Sequence, residues 1–64
     1  MKNRIEFLRK EQGITQEAFA RQMEVSRQTI SSLENGKYNP SIFLAHRIAA
    51  FFGKPIEEVF IFED

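Results

Sequence analysis

Two hydroxyl residues, each opening a helix-length segment and lying eleven positions apart, constrain this 64-residue chain most: Thr15 before Gln16 and Ser26 before Arg27. Thr15 can accept a hydrogen bond from the first turn of a helix over Gln16 to Met23, with Ala18 where a capping-box Glu would otherwise sit. Only Glu24 and Val25 intervene before Ser26, which can cap a second helix over Arg27 to about Asn35. Gly36 then supplies a left-handed stop. Helices joined this closely cannot run antiparallel, which requires a longer reversal, so they must cross at a steep angle.

Projected at about 100° per residue, the second of these helices turns Ile30 and Leu33 inward with Ser26. Gln28, Ser31, Ser32 and Asn35 share one outer wedge, flanked by Arg27 and Thr29. Amides, hydroxyls and one guanidinium, with no carboxylate at the centre, suit the donor and acceptor edges of DNA bases. The plain alternative is an ordinary solvated helix face.

The segments Leu8-Arg9, Gly13-Ile14-Thr15-Gln16, Ala20, Val25-Ser26-Arg27-Gln28-Thr29-Ile30, Leu33-Glu34-Asn35-Gly36-Lys37 and Asn39-Pro40-Ser41 together resemble the Cro/repressor-type (XRE) helix-turn-helix family in its short, single-domain form. The resemblance covers most of residues 3–60. It implies an all-α, five-helix, lambda-repressor-like DNA-binding domain over residues 1–60, with the helix-turn-helix unit at about 15–35 and a short tail at 61–64. It further implies that Arg27, Gln28, Thr29 and Ser32 approach base edges and that Gln16, Asn35, Lys37, Tyr38 and Asn39 contact phosphates. One departure is Glu24, which stands where many members of the family carry Gly in the turn. In a left-handed conformation a non-Gly residue there costs on the order of 1 kcal/mol, which bears on turn geometry rather than on the fold.

The remaining helices follow from the same local chemistry. A first helix is expected from Asn3 to Glu11 or Gln12, stopped by Gly13, with Ile5, Leu8 and Arg9 on its inner stripe. An arginine on an apolar stripe needs a carboxylate, and Glu34 lies on the inner flank of the third helix, so a partly buried Arg9–Glu34 ion pair is expected. The resemblance points the same way, and the alternative is two independent solvated charges. Pro40 discourages helix at Asn39, so Ser41 can cap a fourth helix over Ile42 to Phe52, buried through Leu44, Ala45, Ile48, Ala49 and Phe52. Gly53 ends it. Pro55 then sits in the first turn of a short fifth helix running to about Phe60.

Sixty-four residues make one small domain whose core alone gives marginal stability, so a partner subunit would help. There is no cysteine and one histidine, His46, placed on the outer face of the fourth helix; neither a disulfide framework nor a structural zinc is expected. No apolar run of signal-peptide length follows Met1, and nowhere do about 18 apolar residues occur together, so a cytoplasmic protein with no membrane partner is expected. The net charge of zero is unevenly spread: residues 1–47 hold eight Lys or Arg against five Glu, while residues 48–64 hold Lys54 against Glu57, Glu58, Glu63 and Asp64. The acidic end should therefore face away from DNA phosphates.

Phe60, Ile61 and Phe62 suit a short strand. With no strand elsewhere in a helical chain, the simplest partner is the same segment of a second subunit, in an antiparallel ribbon across a two-fold axis. The alternative is a tail that folds back on its own core or frays. Of the seven phenylalanines, Phe19, Phe52 and Phe60 read as core and Phe7 and Phe43 as outward. Phe51, with Val59, Ile61 and Phe62, is the candidate dimer contact.

No catalytic constellation, glycine-rich phosphate loop, cofactor motif or small-molecule site is present in the sequence, so an enzyme is not expected. The leading expectation is a dimeric, sequence-specific regulator of transcription on a pseudo-palindromic operator, acting most simply as a repressor. From a different class comes an antitoxin or adaptor, engaging a protein through Phe7, Phe43 and the tail, with DNA binding secondary.

Overall fold

Three hydroxyl caps set the starts of the longer helices. In a computed structural model that describes residues 1–62, the Thr15 side chain accepts from the Ala18 amide, Ser26 from Thr29, and Ser41 from Leu44, each at 3.1 Å. The elements in order are α1 (Ile5–Glu11), α2 (Gln16–Met23), α3 (Arg27–Glu34), α4 (Ile42–Phe52) and α5 (Ile56–Val59). The fold is all-α, as expected, and no strand occurs among the described residues apart from one isolated antiparallel bridge.

The helix ends share one construction. After α2, the Val25 amide reaches back to the Ala20 carbonyl (3.0 Å) and the Glu24 amide to Arg21 (3.2 Å). This is the paired closure that requires a left-handed residue between helix and loop. The same pair of bonds closes α1, α3 and α4 around Gly13, Gly36 and Gly53. Glu24, at φ 60° and ψ 40°, is the one residue other than glycine among the described residues to occupy that position. At Gly36 the restriction is double, because a Cβ there would also lie 3.2 Å from the Met1 carbonyl oxygen.

Each helix contributes its apolar stripe to a single core: Ile5 and Leu8; Phe19, Ala20 and Met23; Ile30 and Leu33; Leu44, Ala45, Ile48, Ala49 and Phe52; and Val59 with Phe60. The α4 stripe is the one read from the sequence. Burial of these side chains is the main stabilising force of so short a chain. Phe19 stacks on Phe52 with ring centroids 5.4 Å apart, and Phe51 meets both rings edge-on at 5.3 Å. Edge-on and offset contacts of this kind add to the burial itself.

Several boundaries differ from expectation. α1 begins two residues later than Asn3, because Asn3 pairs with Phe60 in the isolated bridge and uses its side-chain oxygen to accept from the Ile5 amide at 3.1 Å. Pro55 precedes α5 in an extended conformation instead of lying in its first turn, and Phe60 is extended as well. Ser26 does not point inward: it is exposed, and its hydroxyl is engaged at the cap.

The tail departs most from the strand expectation. The Arg4 amide donates to the Val59 carbonyl (2.8 Å) and the Ile61 amide to the Lys2 carbonyl (2.9 Å), so the chain folds back on its own N-terminal segment. A partner for this extended stretch exists within the protomer after all, in the three residues before α1. Val59 is corrected with it: it is fully buried within the protomer and offers no surface to a second subunit. Ile61 and Phe62 remain 41% and 62% exposed. Glu63 and Asp64, and with them the end of the tail assigned to 61–64, lie outside the described residues.

Candidate nucleic-acid interface

The outer face of α3 is built by the tight α2–α3 connection and by the burial of Ile30 and Leu33, neither of which has any exposed surface. With those two side chains fixed inward, helical geometry turns the remainder outward. Arg27 and Gln28 are exposed, and neither side chain makes a hydrogen bond or ion pair among the described residues. Both are free to meet a ligand without first breaking a contact. Thr29 is half-buried, and its hydroxyl lies 2.9 Å from that of Ser26, so one of its hydrogen-bonding positions is already used within the cap.

A shallow, open depression joins the cap residue Ser26 and Gln28, Thr29 and Ser32 of α3 to Lys37 and Tyr38 of the following loop. Three of the four base-contact candidates therefore share one concavity with two of the phosphate-contact candidates. Arg27 lies on the other flank, beside Glu17, Ala20, Arg21 and Val25. Asn35 and Asn39 are exposed at the C-terminal end of α3 and in the loop. No carboxylate lines the α3 depression.

Gln16 is placed differently from an open phosphate contact. Half-buried at the start of α2, it donates from Nε2 to Glu34 Oε1 at 3.0 Å. Glu34 also receives Arg9 in a two-pronged pair, Nε to Oε2 at 2.7 Å and Nη2 to Oε1 at 3.1 Å, while Arg9 Nη1 donates to the Ile14 carbonyl at 2.7 Å. The Arg9 and Glu34 side chains are 7% and 3% exposed. A planar guanidinium gripping both carboxylate oxygens is the strong form of an ion pair, and at this burial it ties α1, α2 and α3 together. Hydrogen bonding to Glu34 raises the Arg9 pKa above the ordinary arginine range, against the opposing effect of burial.

Two contacts near the ends of α3 carry no local sequence signal. Asn3 donates from Nδ2 to the Leu33 carbonyl at 2.7 Å, holding the C-terminal end of α3. Arg47 of α4 donates from Nη1 to the Met23 carbonyl at 2.7 Å, at the end of α2 beside the left-handed Glu24. The Met23 carbonyl, at the open end of α2, is met by this bond, whereas the Leu33 carbonyl also accepts from the Gly36 amide at 3.0 Å. Such bonds join residues 24 and 30 positions apart to a backbone acceptor, which no pattern of side chains marks.

Capped helices joined by two residues, with the second helix presenting a polar, acid-free outer face beside a basic loop, define a helix-turn-helix DNA-binding domain. The chain belongs to the helix-turn-helix family, whose model matches residues 5–59. It is 52% identical over its whole length to an HTH-type transcriptional regulator of Methanocaldococcus jannaschii, covering 97% of that protein. It is 39% identical, again over its whole length and 97% of the relative, to the HTH-type transcriptional regulator YgzD of Bacillus subtilis. Similarity extends at 41% identity to the control protein C.MunI of a Mycoplasma species, over 91% of this chain and 80% of the relative. The protein is thus a DNA-binding regulator of transcription, a class without enzymatic chemistry. Among the described residues no helix is long and apolar enough to cross a membrane.

Proposed function

We propose that the protein is a dimeric, sequence-specific repressor that inserts α3 into the major groove of a pseudo-palindromic operator. The observation that carries this reading is the exposed pair Arg27 and Gln28 at the start of α3, without a side-chain partner among the described residues, Gln28 lining the depression with Ser32, Lys37 and Tyr38. Arg27 can engage guanine O6 and N7 through its forked donors, and Gln28 can engage adenine N6 and N7. Ser32 and the free hydrogen-bonding capacity of Thr29 supplement them. Lys37, Tyr38, Asn35 and Asn39 flank the groove walls and take phosphates, and the second amide hydrogen of Gln16 does so while the first is held by Glu34. Repression follows from occupancy of a promoter, without need of a further domain, and the site of action is the cytoplasm.

Dimerisation is assigned to the apolar surface around Ile61 and Phe62, with the half-exposed edge of Phe51 contributing at most its rim. On a two-fold axis the two α3 helices reach half-sites one helical turn apart, about 34 Å or 10 bp. A protein-interaction role is the second reading, favoured by Phe43 and Phe7 at 79% and 56% exposure.

Selection of duplexes from a random-sequence library by the purified protein, with sedimentation analysis of the complex, tests the proposal. Enrichment of one motif with inverted half-sites about 10 bp apart, bound by two protomers, is the expected result. Failure to enrich any motif, or a single half-site bound by one protomer, would overturn it.

A further inference from the structure

We infer that Arg47, on α4 and outside the DNA-facing surface, is a positioning residue that sets the attitude of the base-reading end of α3. The inference rests on the DNA-binding reading above and adds to it a residue that neither the helix-turn-helix unit nor its loop contains.

The two ends of α3 are held by different means. Its C-terminal end is fixed by Asn3 at the Leu33 carbonyl and by the closure around Gly36. Its N-terminal end, which carries Arg27 and Gln28, continues directly from the Glu24–Val25 connection, and neither of these side chains anchors it. That connection is the one helix closure in which an L-residue other than glycine adopts the left-handed conformation. It therefore needs outside support to persist against its own conformational cost.

Arg47 supplies the support. The closure uses the carbonyls of Ala20 and Arg21, leaving that of Met23 to be met from elsewhere, and Arg47 Nη1 meets it at 2.7 Å. A cation at the carbonyl end of α2 also complements the helix dipole. The donor comes from a rigid element: α4 is buried through Leu44, Ala45, Ile48, Ala49 and Phe52, and Phe52 stacks on Phe19 of α2. The Arg47 bond thus references the residue just before the turn to the core of the domain. Arg27 follows four positions after Met23, so a shift of the turn passes straight to the side chains that read bases. Base readout tolerates little looseness, because a recognition group about 1 Å out of place loses its bidentate geometry.

The experiment compares wild type, Arg47→Met and Arg47→Lys, each folded at the assay temperature by circular dichroism. Binding is measured to the duplex enriched by wild type and to a random duplex, at several salt concentrations. Arg47→Met keeps the stem length but removes the donor; Arg47→Lys keeps a donor. The expected result is a roughly tenfold fall in the specific-to-random affinity ratio for Arg47→Met, with the salt slope unchanged and the ratio largely restored in Arg47→Lys. Should Arg47→Met fail to fold, Arg47→Leu, which likewise has no donor, takes its place with the same expected direction. A lower melting temperature with an unchanged ratio would overturn the inference in favour of a purely structural bond. Equal losses on both duplexes with a salt slope shallower by about one would overturn it in favour of a direct phosphate contact. Failure of wild type itself to distinguish the duplexes would remove the DNA-reading premise, and is seen before any variant is made.

Discussion

Replacing Glu24 with glycine should make the domain more stable, and the size of the effect can be worked from the backbone. Glu24 sits at φ 60° and ψ 40°, where an L-residue costs roughly 1–2 kcal/mol relative to the right-handed region. Glycine removes that cost but restores freedom to the unfolded chain, which takes back on the order of 0.4–1 kcal/mol. The Glu24 side chain is exposed and makes no hydrogen bond or ion pair among the described residues, so no contact is lost with it. The net gain is about 0.5–1 kcal/mol. At about 2.1 cal/mol/K per residue, a chain of 64 residues unfolds with an entropy near 0.13 kcal/mol/K, so Glu24→Gly should raise the Tm by roughly 4–7 °C. Thermal denaturation followed by circular dichroism measures the shift. Gly53→Ala is the mirror control, because a Cβ there meets nothing within 4 Å and only the positive φ is penalised. Gly36→Ala, which adds a close approach to the Met1 carbonyl, should cost more than Gly53→Ala. An unchanged or lower Tm for Glu24→Gly, beside the expected fall for Gly53→Ala, would refute the argument that the α2–α3 turn stores conformational strain.

Glu34→Ala should destabilise far more than a surface substitution, by about 3–5 kcal/mol, because it leaves the buried Arg9 cation without its partner; an unchanged Tm would sink the pairing. Since the Arg9 pKa is raised on folding, its contribution is fully present below the ordinary arginine range and lost only above it. Arg9 should therefore add no slope to stability between neutral and mildly alkaline pH, as thermal melts across that range would show. Arg27→Ala and Gln28→Ala should each cost roughly 1–3 kcal/mol on the selected duplex and little on random DNA, with equal losses on both counting against base reading. Lys37→Ala should weaken both duplexes alike and reduce the magnitude of the salt slope by about one.

What could be read from the sequence was mostly what chain neighbours decide, the exception being the Arg9–Glu34 pair 25 positions apart, which an arginine on an apolar stripe called for. Thr15, Ser26 and Ser41 each reach an amide three residues on, and the glycine stops and the α4 stripe follow from helical geometry within one or two turns. Val59 was misplaced because α5 has only four residues, too few for a periodic pattern to say which side faces the core. The tail was misplaced because Lys2–Arg4 carries no strand signal of its own; its backbone becomes a partner only once α1 and α5 have packed. The contacts of Asn3 and Arg47 with helix carbonyls were invisible for a related reason: the acceptor is backbone, which has no residue identity to recognise. Gln16 shows a further limit. Its type suits a phosphate contact, but only the three-dimensional arrangement brings it to the carboxylate that already holds Arg9.

The central claim is specific DNA binding through α3, and its most direct test is fluorescence anisotropy of the wild-type protein on a duplex from upstream of its own gene against a scrambled duplex. Titrations at several salt concentrations should give tight binding to the promoter duplex alone, falling steeply as salt rises, because phosphate contacts anchor the complex while α3 reads the bases. Equal weak binding to both duplexes, or none to either, would contradict the claim.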